Sequence, residues 1–515
     1  MTPQGQDALE PAESLPGQDT LAPGGGAARN TALTFAGQVA AALLTAVLTI
    51  FLVRRLGPEG YGVFSLAFGI GVLVVLPADF GISAATARFV AERRESRRLV
   101  TAVLAHGLKL KLISAAIAGG ALFVLAGPIA NAYDTPSLAW PLRGIALSVI
   151  GQSILYYYGN AFIALGRTAL NLRAVITESV FEFTASTTLV LLGAGATGAA
   201  FGRAIGYAFG VAVALVLIVR LLGRRAVEVR GAEPLPGLNM MRYAGALLIV
   251  EGAYTMFGQV DALIIGGFLG ATSVGLFQGP LRITALLSYP GLALSAGISP
   301  RLARREGHEP DVGALTIGLR WLIVLQGAMM APLIIWAGPI VNLIFGPAYS
   351  ESAAVLRGLA PYIFLSGFAP LVSTVVDYLG EARRRIPIAL GTLALNLAID
   401  IIYIPKIGIV AGAIGTSAAY AIYVPAHLRI CAQLLPLRLR PLASTFLRCA
   451  LAAAAMAAVL YAVGRSDLSA FDWALGLSVG TAAYGSILFA TGEIRAREVR
   501  AARTAVENYR RGMTA

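Results

Sequence analysis

The chain is short of nearly everything that soluble enzymes use. Only 13% of its 515 residues are charged, with three histidines, two cysteines and just three lysines. Lys109, Lys111 and Lys406 follow no G-x-x-x-x-G-K-[S/T] run, which excludes an ATP-binding P-loop. His106, His308 and His427 are scattered, and H-E-x-x-H, C-x-x-C and a D-x-D site for nucleotide sugars are all absent. The sequence therefore predicts no metal centre, no cofactor and no enzyme. Cys431 and Cys449 fall near the expected cytoplasmic face and read as free thiols. Residues 1–28 carry no apolar core and are expected to form a disordered cytoplasmic tail, not a cleavable signal.

What is plentiful is apolar. At 57% hydrophobic residues and a mean hydropathy of +0.75, the composition excludes a soluble globular protein of this length. Runs of about 20 residues, enough to cross a ~30 Å hydrocarbon core, recur throughout. They lie at 31–52, 64–84, 102–126, 143–165, 174–193, 199–221, 244–269, 274–299, 312–341, 357–379, 386–404, 411–433, 444–464 and 471–491. The fold class expected is an all-α polytopic membrane protein of 14 transmembrane helices. Runs this strong argue against a barrel of short alternating strands. With the N-terminus inside, thirty-one of the forty Lys and Arg residues fall on cytoplasmic segments, six outside and three within spans. That bias places both termini in the cytoplasm. It also makes the net charge of +13 a sign of topology and of contact with anionic lipid, not of nucleic-acid binding.

Two stretches about 213 residues apart nearly repeat. Leu56-Gly57 returns as Leu269-Gly270, Gly62-Val63-Phe64 as Gly275-Leu276-Phe277, and Ala126-Gly127-Pro128-Ile129 as Ala337-Gly338-Pro339-Ile340. Leu142-Arg143-Gly144 matches Leu356-Arg357-Gly358, Leu165-Gly166 matches Leu379-Gly380, and Gly198-Ala199 matches Gly412-Ala413. One match is weak in so Gly- and Ala-rich a chain. Several in order at one offset mark a duplicated unit, the layout of a secondary transporter. Six helices per unit is an even number, so the expected layout is two pseudo-symmetric six-helix lobes in parallel repeat plus two C-terminal helices. The expected divisions are 29–222 (helices 1–6), a cytoplasmic linker at 223–243, 244–435 (helices 7–12), 436–492 (helices 13 and 14) and a basic tail at 493–515. The outward loops are too short to fold as domains, which counts against a membrane polymerase or ligase.

The segment Leu52-Val-Arg-Arg-Leu-Gly-Pro-Glu-Gly-Tyr-Gly-Val-Phe-Ser-Leu66, with Asp79-Phe-Gly-Ile82 and Arg88 after it, resembles the opening of Wzx-type polysaccharide flippases. These belong to the superfamily of multidrug, oligosaccharidyl-lipid and polysaccharide exporters. Val260-Asp-Ala-Leu-Ile-Ile-Gly-Gly-Phe-Leu-Gly270, Phe345-Gly-Pro-Ala-Tyr349, Pro405-Lys-Ile-Gly408 and Gly412-Ala413 are similar to later parts of the pattern. The likeness covers about residues 30–435. It implies a two-lobed transporter of the bacterial inner membrane that moves undecaprenyl-pyrophosphate-linked oligosaccharide by alternating access. Polysaccharide polymerase and glycosyltransferases are its implied partners. The two extra helices are similar to those of lipid II flippases. A cation-coupled multidrug exporter, a membrane-embedded polymerase or ligase, and a non-transporting scaffold stay open as rival readings.

A charge at mid-bilayer costs ~2.5–3.5 kcal/mol on insertion scales, so it usually faces a cavity or a partner. Shifting Gln38 by 213 reaches Glu251, and Glu251, Tyr254, Gly258 and Asp261 form one stripe at spacings of 3, 4 and 3. Gln38, Glu251, Tyr254 and Asp261 are thus candidate cavity residues, with interhelical packing as the plainer reading. Arg282, Arg320 and Arg203 are candidates for phosphate, because a guanidinium stays charged and binds oxygens bidentately. A structural pair of Asp261 with Arg282, or snorkelling by the other two, would explain them as well. Glu178 and Glu182, four apart on helix 5, are candidates for coupling to H+ or Na+. Gln152, Tyr156 and Asn160, with Tyr157 and Tyr158 alongside, offer rings and amides to a sugar or simply pack.

Overall fold

In the computed structural model the described residues are 26–227, 240–302 and 310–495, and among them the chain forms sixteen α-helices and no strand. They divide into two compact units, one ending at Gly275 and one beginning at Leu276. The first contains α1 (Gly26–Asp79), α2 (Ile82–Glu92), α3 (Arg97–Ala132), α4 (Ala139–Ala164), α5 (Thr168–Leu189), α6 (Gly195–Leu222) and most of α7 (Met240–Leu287). The second contains the end of α7, then α8 (Tyr289–Ile298), α9 (Val312–Ile335), α10 (Ala337–Phe345), α11 (Ser352–Ser366) and α12 (Ala369–Tyr378). It continues with α13 (Arg385–Ile407), α14 (Val410–Leu434), α15 (Leu439–Val463) and α16 (Ala470–Ala490).

Ten helices among the described residues are long and apolar enough to cross a membrane, where fourteen spans were expected. The difference has a local cause. Three of the ten, Val39–Asp79, Thr168–Leu222 and Thr255–Thr284, run on through a left-handed glycine, and each contains residues from two expected spans. The helix α14 is not among the ten. The expected tails and linker fall largely on residues 1–25, 228–239 and 496–515, outside the described residues.

The duplication is written into the backbone. Left-handed φ angles occur at Gly57 (67°) and Gly270 (79°), at Asp134 (47°) and Gly346 (94°), at Gly166 (71°) and Gly380 (78°), and at Gly195 (53°) and Gly408 (71°). The members of each pair stand 212 to 214 residues apart. Gly57 and Gly270 combine positive φ with ψ of 179° and 177°, a region essentially closed to any other residue. The helix starts repeat too. Ser96 caps α3 through its hydroxyl and the Leu99 amide, and Asp311 caps α9 through its carboxylate and the Ala314 amide.

The boundary between units falls inside α7, and α7 packs closely on α1. A Cβ on Gly62 would stand 1.7 Å from the carbonyl oxygen of Ala271, and one on Gly275 would stand 1.9 Å from that of Pro58. Backbone touches backbone there. Below this crossing, α2, α3, α4 and α6 enclose a core that includes Leu104, Tyr157, Tyr158, Phe162 and Ile218, all fully buried.

Gly275→Val should force the crossing apart and cost about 1–3 kcal/mol or more, the range for overpacking a filled site. Gly120→Val, where a Cβ meets nothing within 4 Å, should leave the unfolding temperature in detergent nearly unchanged. Equal losses from the two substitutions would contradict the close contact.

Candidate functional site

Three of the sequence candidates come together between α5 and α6. The face of α6 that meets α5 is made of Gly202, Gly206 and Gly210, four apart and therefore aligned. Opposite them on α5 stand Ser186, Glu182 and Glu178, at the same spacing. Cβ atoms on these glycines would lie 2.3 Å from the Ser186 Oγ, 2.6 Å from the Glu182 Cβ and 2.8 Å from the Glu178 Cβ. Only bare backbone lets a polar stripe pack this tightly. Next to Gly202, Arg203 reaches back across the seam. Its Nη1 donates to the Glu182 Oε1 at 2.6 Å, and its Nη2 donates to the Tyr207 hydroxyl at 2.9 Å. The guanidinium also lies 4.9 Å from the Phe68 ring centroid and 5.0 Å from that of Tyr207. Glu178, 7% exposed, accepts from Ser179 at 3.1 Å.

This is a desolvated cluster with two carboxyls and one guanidinium. The guanidinium compensates one carboxylate, so the cluster balances when the other holds a proton. Tyr207 and Phe68 were missed by sequence reasoning. The i,i+4 spacing from Arg203 to Tyr207 was the available signal.

The other candidates are dispersed. Asp261 is buried on α7 before the break at Gly270, and Arg282 is half-buried after it. The helices that carry Gln38, Glu251 and Tyr254 are described, but the side chains of all three lie outside the described residues. Gln152 is half-buried and Tyr156 is 58% exposed, while Asn160 donates its amide to the Tyr156 carbonyl on its own helix at 2.9 Å. Tyr157 and Tyr158 are fully buried with their rings edge to face, and the Tyr157 hydroxyl donates to the Leu104 carbonyl. They are core.

Arg320 meets the C-terminal helices. Its Nε donates to the Glu493 Oε1 at 2.7 Å, and an Nη2 proton goes to the Glu493 main-chain oxygen. Thr445 and Arg448 on α15 complete the set around this 3%-exposed carboxylate, at 2.8 and 2.9 Å. Four groups thus tie α9 to α15 and to the end of α16. Burial pushes the Glu493 carboxyl up, but the hydrogen bonds from Arg320, Thr445 and Arg448 outweigh it and hold the group below its ordinary 4.5.

Two further buried polar sites went unnoticed in the sequence. Lys111 is completely buried, whereas Lys109 is exposed. The Lys111 Nζ and the Ser83 hydroxyl both donate to the Asp79 Oδ1, where α1 ends and the chain turns left-handed through Phe80 and Gly81. In the second unit Asn396 and Asp400 on α13 are wholly buried, with the amide donating to the carboxylate at 3.1 Å. Gly415 on α14 leaves them room, since a Cβ there would stand 2.8 Å from the Asp400 Oδ1. Shifting Glu182 by 214 lands on Asn396, so the repeat held the clue.

Residues 27–304, more than half of the chain, match the model of the family described as polysaccharide biosynthesis protein. The chain belongs to that family. Among similar proteins, the probable low-salt glycan biosynthesis flippase Agl15 of Haloferax volcanii is 24% identical over 384 residues, covering 73% of this chain and 77% of that protein. The putative O-antigen transporter of Shigella flexneri is 21% identical over 387 residues, 71% of this chain and 88% of that protein. Among solved structures, the lipid II flippase MurJ in its inward closed conformation aligns with a TM-score of 0.68 at 15% identity, covering 89% of this chain and 99% of that one. That last likeness is one of fold. This polysaccharide biosynthesis protein is a multi-pass membrane transporter of the flippase type, and not an enzyme.

Arg203→Ala strands Glu182 in a dry seam and should cost about 3–5 kcal/mol. The double change Arg203→Met with Glu182→Met should cost less than that single one, as read from unfolding temperatures in detergent. For Glu493 the pH dependence has a definite sign. Its carboxyl is depressed when folded, so the stability it contributes is complete above 4.5 and is lost as pH falls below that value. The gap in unfolding temperature between wild type and Glu493→Gln should hold constant down to about pH 5 and then close. A gap that widens in acid would contradict the cluster.

Proposed function

We propose that this protein carries an undecaprenyl-pyrophosphate-linked oligosaccharide across the bacterial inner membrane by alternating access, for surface polysaccharide synthesis. The observation that carries the reading is the family match over 27–304, joined by relatives whose names speak of glycan flipping and O-antigen transport. The two six-helix halves rock against each other with both termini in the cytoplasm. The sugar passes between them and meets Gln38, Glu251 and Tyr254, with Gln152, Tyr156 and Asn160 as further contacts. Asp261 sits on the same path. Arg282 is the first candidate for the pyrophosphate, because it stands half-buried on the part of α7 that follows the Gly270 break. Arg203 and Arg320 are held by Glu182 and Glu493, so either meets phosphate only by exchanging one anion for another.

Turnover draws on a proton carried by the Glu178 and Glu182 pair. Two carboxyls that share one guanidinium in a dry seam change charge by taking up or releasing one proton, which biases the packing of α5 on α6. The polymerase and glycosyltransferases of the same route are the expected partners.

Deleting the gene and analysing lipid-linked saccharides together with the surface polymer by mass spectrometry tests the transport reading. One surface polymer should vanish while its carrier-linked repeat unit accumulates on the inner leaflet. Accumulation of lipid II would redirect the reading to peptidoglycan precursor, and intact glycans with raised drug sensitivity would overturn it in favour of a multidrug exporter. In proteoliposomes a proton gradient should accelerate wild-type flipping. Glu178→Gln, fixed in the neutral form, should not respond to the gradient; an equal response would exclude this coupling site.

A further inference from the structure

One opening within the first unit has no part in the site above. It is a cleft of about 560 Å³ between the C-terminal part of α1 and α3, open along one side. On α1 it is bounded by Ile70, Val74 and Pro77, at its lower end by Phe80, and on α3 by a strip running from Leu110 to Ile129. That strip covers nineteen residue steps, about 28 Å at 1.5 Å each. It therefore matches the whole ~30 Å hydrocarbon core and not one leaflet. Its only hydroxyl, Ser114, turns inward and donates to the Ala78 carbonyl at 2.8 Å, so the wall is apolar from end to end. Ile117 is 67% exposed, which leaves the cleft open to lipid.

The duplication marks the cleft as special. In the second unit α9 holds the place of α3, and the matching face is filled by the two C-terminal helices. Gly327, which corresponds to Ser114 at the repeat offset, would place a Cβ 3.4 Å from the Cys449 Cβ and 2.8 Å from the Tyr484 hydroxyl. Tyr484 also donates to the Val324 carbonyl at 2.8 Å. Among the described residues the same helix face thus has a protein occupant in one unit and none in the other.

We propose that the cleft seats the isoprenoid tail of the carrier lipid, an inference that rests on the flippase reading. Two features select this occupant over an ordinary phospholipid. An acyl chain anchored in one leaflet covers only about half of the hydrocarbon core, whereas a single long polyprenyl chain fills the strip along its length. The cleft also has a charge at the correct end. Lys109, exposed and one turn on the cytoplasmic side of Ile113, lies on the same stripe and suits a phosphate held at the inner interface. A full-depth groove meets a need of the transport itself. The head crosses the membrane but the tail must stay in an apolar phase, and this cleft can hold the tail with the head on either side.

The test uses the full chain in nanodiscs with a diazirine-bearing polyprenyl phosphate, the labelled residues being mapped by mass spectrometry. Label should fall on 70–82 and 110–129. Ala121→Trp, which fills the cleft, should reduce it about fivefold, a loss of ~1 kcal/mol in binding. Lys109→Glu should also reduce it. Val124→Trp, 74% exposed and outside the lining, should not. If Ala121→Trp does not fold, the wild-type map and Ile117→Trp decide the matter. Label confined to other helices overturns the tail site and leaves the flippase reading standing. Displacement by phosphatidylglycerol as effective as by unlabelled polyprenyl phosphate overturns it as well. Label no higher than on an unrelated membrane protein overturns both.

Discussion

Backbone contact between α1 and α7 is the constraint from which the first unit takes its form. Helix axes normally stand 8–10 Å apart, the distance being set by the side chains between them. At Gly62 and Gly275 there is no side chain, and each position looks directly onto a carbonyl of the other helix. These residues are equivalents in the duplicated sequence, and so are Pro58 and Ala271, whose carbonyls they face. A contact between equivalent positions is self-complementary, so any side chain tolerated on one side must fit its own image. Five residues before each glycine the helix breaks, at Gly57 and at Gly270, with almost the same backbone angles. The bend and the crossing form one device, present twice.

Charge is the second constraint. Three ionic groups described above are met by a counter-charge within their own unit: Arg203 by Glu182, Lys111 by Asp79, Arg320 by Glu493. Desolvation makes such pairs poor contributors to net stability while making the loss of one partner expensive. They specify which helix faces meet. The Glu493 cluster does this for the C-terminal helices, alongside the hydrogen bond from the Tyr484 hydroxyl to the Val324 carbonyl on α9.

Much of this was legible in the sequence, for physical reasons. The matched pairs Leu56-Gly57 with Leu269-Gly270, and Leu165-Gly166 with Leu379-Gly380, fall at left-handed turns, where only glycine is comfortable and the letter must repeat. Glu178, Glu182 and Arg203 stood out because charge in an apolar run is rare. What stayed hidden was pairing at a distance. Arg320 and Glu493 are 173 residues apart, and nothing local announces their meeting. Lys109 and Lys111 look alike as letters, yet two steps along a helix turn a side chain by about 200°. One therefore faces out and the other inward. Asn396 carries no charge and escaped a search guided by charge.

The position of Glu493 also orders the making of the protein. Chains emerge from the ribosome N-terminus first, at about 5–20 residues per second. Arg320 leaves long before the carboxylate that will hold it, with α10 to α14 and both C-terminal helices still to come. During that interval its guanidinium must be hosted by lipid phosphate or water at the interface. Capture by Glu493 is then among the last events of synthesis, and it fastens the final two helices only once they have been threaded into the membrane.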